Sequence, residues 1–216
     1  MVKYPNQLPG SEPTTVEGFL DLLSQFPEFD NMDELFHSQK YHPEGDGSLK
    51  AHMIAVFEKW IGEGGISPRR GVHRPPTSVG FWALVFHDIG KQACADWKGD
   101  DKGFHSFIKH ESVGADIFVE KYRDLNPITD AYADEIEWII RHHTNFWQVG
   151  KYGKSVALAI HPTFDILAEV CLADKMGQTL PDGRDMDKEW CVRCDYFAEM
   201  EQKHLKEQAR IAERDA

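Results

Sequence analysis

Basic charge is scarce in this chain. Against 36 Asp and Glu stand 24 Lys and Arg, a formal net charge of −12. So acidic a protein does not grip long nucleic acid through a basic face. A small phosphorylated substrate, a nucleotide or a nucleic-acid end stays admissible, because bound divalent cations reverse the local field while the chain as a whole remains acidic. Cysteine is sparse as well: four in 216 residues make no disulfide scaffold. Cys191 and Cys194 form one C-x-x-C without a second pair at zinc-finger spacing, and read as two free thiols at the start of a helix. No apolar run approaches the roughly 20 residues of a membrane span, and "MVKYPNQLPG" lacks a signal-peptide core, so a cytoplasmic protein without a membrane partner is expected. Spaced β-branched alternation, internal repeats and low-complexity tracts are also missing. The expected fold class is all-α.

Helical periodicity is what the chain does have. After an extended, Pro- and Gly-containing start to about Pro13, "TTVEGFLDLLSQF" opens with Thr14 three residues before Glu17, a capping box. The polar loop "YHPEGDGS" ends on Ser48, which can cap "LKAHMIAVFEKWIG", where Leu49, Met53, Val56, Phe57 and Trp60 share a stripe. A Gly- and Pro-rich loop leads to "VGFWALVFHD", apolar nearly all round and so a buried central helix, with a strand as the alternative. "KQACADWKGDDKGFHS" reads as a long polar loop of the kind that covers a site. Helices are expected over 107–121, 130–146, 163–177 and, strongly charged, 187–214. One domain is expected over 1–216, its core at about 40–180, with residues 1–30 and the last helix packed on it.

Histidine is plentiful, eleven in all, and helical geometry tests which ones point inward. His52 flanks the stripe of Leu49, Met53 and Val56. His110 lies with Phe107, Gly114 and Ile117. His143 sits among Tyr132, Ile136, Ile139, Ile140 and Trp147, with His142 turned off that face. In "FDILAEVCLADKMGQ", Asp174 shares a face with Leu167, Cys171 and Gln178, a costly place for a carboxylate unless it is paired or bound to metal. His87 and Asp88 end the apolar segment. Singly, each has a plain reading: a hydrogen-bonded core histidine, a helix cap at Asp88, an ion pair of Asp174 with Arg141. Jointly, four imidazoles and two carboxylates facing inward from separate helices form the N/O donor set of a divalent metal site.

The order His52, then His87-Asp88 within "HDIGK", then a distant Asp174 resembles the HD superfamily of metal-dependent phosphohydrolases over roughly residues 40 to 180. "YHPEGDGSLKAH", "FHDIGK", "FIKHESVGADIF" and "IIRHH" are further similar to the HD region of bacterial CCA-adding enzymes, with Lys109 standing where glycine is common before His110. The Gly-Ser turn and D-x-D of their nucleotidyltransferase head are not found, so CCA addition is not implied. The resemblance implies an HD-domain helical bundle with a metal site in its core. It makes His52, His87, Asp88 and Asp174 ligands of one divalent ion, with Asp88 able to bridge. His110 and His143 match the ligands of a second ion, and His142 stays open as an alternative. The metal is Mn, Mg, Fe, Co or Ni, one ion or two.

Catalysis then falls to a metal-activated water, with Asp88 as orienter and Lys91 as phosphate contact, or else a solvated lysine at a helix end. Substrate contacts are expected from Arg141, from His42, Glu44 and Asp46, and from the 92–106 loop, where Trp97, Phe104 and His105 can stack on a base or simply anchor the loop. The leading expectation is hydrolysis of phosphomonoesters or 2′,3′-cyclic phosphodiesters on nucleotides or RNA ends. A nucleotidase or (deoxy)nucleoside triphosphate hydrolase is the alternative enzyme. A non-catalytic metal-bearing module that senses a nucleotide or docks a partner through its charged last helix is the alternative of another class, and pairing with a second copy stays open on any of these readings.

Overall fold

The computed structural model describes residues 12–38, 45–63, 78–148, 152–176 and 186–215. In chain order these form α1 (Val16–Leu23), a 3-10 turn (Pro27–Phe29), α2 (Leu49–Glu63), α3 (Ser78–Phe86), α4 (Lys91–Cys94), β1 (Asp96–Trp97) and β2 (His105–Ser106). Then follow α5 (His110–Lys121), α6 (Pro127–Ala131), α7 (Ala133–His142), α8 (Tyr152–Ala159), α9 (Phe164–Met176) and α10 (Met186–Asp215). The fold is all-α, and an antiparallel two-residue ribbon of β1 and β2 is its only sheet among the described residues.

Apolar α3 takes the centre. Every residue from Val79 to Phe86 is buried, because the helix packs on α7 and α9 and has no polar face to offer solvent. The stripe foreseen on α2 is likewise buried from Leu49 to Trp60, and Ser48 Oγ accepts from Ala51 N at 3.1 Å as its cap. On α1 the cap is Thr15, which accepts from Gly18 N, rather than Thr14. The run expected over 130–146 breaks at Tyr132 into α6 and α7: Asn126 caps α6 through Ile128 N and Thr129 N, with Pro127 in its first turn, and α7 starts afresh. The 92–106 segment is more ordered than a plain loop, since α4 and the ribbon lie within it. Cys191 is exposed and Cys194 buried on α10. The extended start up to residue 11, His42 and Glu44 lie outside the described residues.

Two backbone features set the position of α5. A Cβ at Gly90 would meet His110 O at 2.2 Å and Gly114 N at 2.6 Å, so only glycine lets the turn after His87-Asp88 lie against the start of α5. Lys109, before α5, has φ 67°, ψ 17°. That left-handed conformation favours glycine and costs an L side chain roughly 1–2 kcal/mol.

Candidate metal centre

Six side chains from five parts of the chain converge: His52 from α2, His87 and Asp88 from the turn after α3, His110 from the start of α5, His143 just past α7, and Asp174 from α9. Donor atoms of His52, His87 and Asp174 lie within 4.8 Å of one another, and so do those of Asp88, His110 and His143. Asp88 joins the two groups. Its Oδ2 faces His52 Nε2 at 3.3 Å and His87 Nε2 at 3.1 Å; its Oδ1 faces His110 Nε2 at 3.3 Å and His143 Nε2 at 4.0 Å. Asp174 Oδ1 lies 3.2 Å from His52 Nε2.

Hydrogen bonds fix how three of the imidazoles point. The Nδ1–H of His87 donates to Leu84 O, that of His110 to Phe107 O, and that of His143 to Ile140 O, each at 2.7 Å and each three residues back. A carbonyl only accepts, so Nδ1 carries the proton and a neutral ring turns its Nε2 lone pair to the centre. Yet His110 Nε2 and His143 Nε2 stand 3.2 Å apart, and His87 Nε2 is buried without a hydrogen bond. Lone pairs facing one another and a carboxylate repel unless a cation sits among them. Burial, with His110 and His87 adding to it, depresses the His143 pKa to about 3, so the His143 ring itself stays neutral at neutral pH. Burial opposes ionisation of Asp88, but His87 and Lys91 outweigh it and hold the carboxyl well below its usual range. Asp174 is held low in the same way, chiefly by His52. The donor set fits divalent metal.

The structure separates His142 from this cluster. Its ring packs on Trp138, 4.9 Å between centroids, beside a cavity that none of the six residues lines. Lys91 is neither solvated nor turned outward: it is buried, with Nζ 2.6 Å from Asp88 Oδ2 and 2.8 Å from His37 Nε2, and 5.5 Å from the Phe107 ring centroid. Arg141 is engaged elsewhere, by Asp116 at 2.8 Å and Glu137 at 2.5 Å. Among the described residues it makes no pair with Asp174. Asp46 accepts from Ser48 N at 2.9 Å and so shapes the turn before α2. Trp97 stacks obliquely on His105, 4.8 Å apart, and His105 Nδ1 accepts from Phe36 N, so the ribbon is anchored to the segment before α2.

Sequence reasoning missed His37. It sits in an irregular segment paired through His37 N to Gly47 O, where no helical period exposes its direction. Its buried ring packs 5.2 Å from His52 and 5.1 Å from Phe107. Cys171 adds a support from α9, its Sγ–H donating to His143 O at 3.1 Å.

A family model, the HD domain, matches residues 78–213, more than half of the chain. The chain belongs to the HD domain family. HD domains are in general metal-dependent phosphohydrolases, and the His/Asp cluster is placed to hold that metal. The match begins at Ser78, so His52 lies ahead of it and joins the HD pair through the fold. No curated protein and no solved structure matches the chain.

Proposed function

We propose that this HD domain hydrolyses phosphomonoester or 2′,3′-cyclic phosphodiester bonds of nucleotides or RNA ends. The observation that carries the reading is the division of Asp88 between two donor groups, Oδ2 towards His52 and His87 and Oδ1 towards His110 and His143. His52, His87, Asp88 and Asp174 would hold one divalent ion, and Asp88, His110 and His143 a second. Such ions supply Lewis acidity at a phosphoryl oxygen and a more acidic attacking water.

The chain's own residues do the positioning. Asp88 keeps its charge because Lys91 lies 2.6 Å away, and Lys91 is steered there by His37 and Phe107. Three carbonyls keep the Nε2 lone pairs inward. His110 is the most exposed of the four imidazoles, its side chain 13% accessible against 0–2% for the others. Asp174 is open to the same degree, so substrate approaches where His110 and Asp174 reach solvent. The loops that resemble those of CCA-adding enzymes, together with the chain's acidity, favour a small phosphate ester or a nucleic-acid end over a long polynucleotide.

The test is to strip the purified protein of metal, reload it with Mn²⁺, Mg²⁺, Co²⁺ or Ni²⁺, and measure metal content and phosphate release on one sample. The panel holds nucleoside 2′,3′-cyclic phosphates, nucleoside monophosphates and deoxynucleoside triphosphates. Hydrolysis of either of the first two supports the reading. Release from triphosphates alone transfers the site to triphosphate hydrolysis, and no hydrolysis of any ester by metal-loaded protein overturns both.

A further inference from the structure

A cavity of about 530 Å³ opens on another side of α7, lined by nine residues, none of them acidic. In a chain with 36 carboxylates among 216 residues that lining is selective. Its charge comes from Lys154, and its polar edges from Asn145, Gln148, His142 and His161. Trp138 forms the wall, stacked on His161 with centroids 3.7 Å apart and planes 6° from parallel, and tilted against His142. Burial lowers the pKa of His161, so at neutral pH its ring offers one donor and one acceptor. His142 Nδ1 is buried and makes no hydrogen bond among the described residues.

Volume, flat aromatic wall, paired amides and one ammonium together define a ligand. The cavity lies within the roughly 300–1,000 Å³ that small-molecule sites occupy. Indole and imidazole surfaces take planar rings. Asn and Gln side chains match the donor–acceptor edge of a nucleobase, and an unopposed lysine takes a phosphate. We propose that this cavity is a second, metal-independent binding site for a nucleoside monophosphate, with the base at Trp138, His142 and Asn145 and the phosphate at Lys154. It does not rest on the hydrolase reading, since none of the six cluster residues lines it. His142 and His143 are consecutive, so occupancy of the cavity acts on the same end of α7 that carries a cluster imidazole.

The experiment is calorimetric titration of the metal-free protein in chelator with AMP, adenosine and inorganic phosphate, following Trp fluorescence in parallel. Expected are saturable AMP binding, unchanged in Asp88→Asn, and binding weakened about tenfold by Lys154→Ala, the loss of one charge-assisted hydrogen bond. Adenosine should bind more weakly than AMP and be indifferent to Lys154→Ala. Lys154 and Gln148 are exposed, so Lys154→Ala and Gln148→Ala leave the fold intact and both should weaken AMP. Absence of AMP binding, binding abolished by Asp88→Asn, or equal affinity in both exposed-site variants and wild type would overturn the proposal. Binding of phosphate as strong as that of AMP would do so too, because the aromatic wall would then contribute nothing.

Discussion

Around Asp88 the two donor groups differ in what frames them, an inner group among core helices and an outer one at helix ends, although each has two buried members and one partly open, Asp174 and His110. His52, His87 and Asp174 come from α2, the end of α3 and α9, the helices that enclose the apolar core, and both imidazoles are fully buried. His110 and His143 stand at the start of α5 and just past α7, with His110 partly open to solvent. The inner group is held by the packing of the whole bundle. The outer one stands at two helix ends, framed by the close approach of Gly90 to His110 and Gly114 and by the Cys171 Sγ–H bond to His143 O. An inner ion would be retained as part of the structure, and an outer one would exchange and meet substrate.

The largest test removes what the groups share. Asp88→Asn should lower phosphate release at least roughly 1,000-fold and cut metal content at both groups, read by elemental analysis. Next, His52→Ala and His110→Ala separate them: the inner change should empty the protein of metal, while the outer one should leave about one equivalent and slow turnover roughly 100-fold. Equal metal loss in the two variants would mean that the two groups do not hold separate ions. Gly90→Ala forces backbone apart at a 2.2 Å contact and should cost about 3 kcal/mol in denaturant unfolding, with activity falling more than inner-group metal.

Smaller effects bear on the frame of the outer group. Lys109→Gly relieves the left-handed strain and should stabilise by about 1 kcal/mol while leaving metal content unchanged. Glu28 lies beyond the far end of α5, where Lys121 Nζ and Tyr122 OH donate to it at 2.8 and 2.5 Å. Burial pushes its pKa up, but these two bonds prevail and the net shift is downward. Its contribution is therefore fully present above the ordinary glutamate value, about 4.3, and is lost as pH falls through the lower folded value. Glu28→Gln should flatten the acid side of the Tm–pH curve. A curve of unchanged slope would mean the bond does not tie down α5.

Helical-face reasoning located His52, His143 and Asp174 because each sits in or beside a regular helix whose apolar residues declare which way is in. Asp174 stood out most, a carboxylate among Leu167 and Cys171. The same reasoning had no purchase on His37, since an irregular segment has no period. It left Lys91 open between a phosphate contact and a solvated cation at a helix end, and only the three-dimensional neighbourhood of Asp88, His37 and Phe107 shows the lysine buried with its charge paired. For Arg141 the ion partners were hard to read. Its partners are Glu137, four residues before it, and the exposed Asp116, and Asp116 is 25 residues away on α5, which local spacing does not reveal. Tyr132 ended a periodic run that looked continuous, because the Asn126 cap starts a short helix of its own.

The three carbonyls that orient the imidazoles have a further consequence. Leu84 O and Ile140 O belong to the last turns of α3 and α7, where a helix leaves its carbonyls without intrahelical donors. His87 and His143 thus act as caps with one nitrogen while facing the centre with the other. Fraying of either helix end would swing a donor away, and an ion held by the Nε2 atoms would lock both ends shut. Amide exchange at the ends of α3 and α7 should then slow together on metal loading, so that the centre works as a rivet for the bundle as well as a place for chemistry.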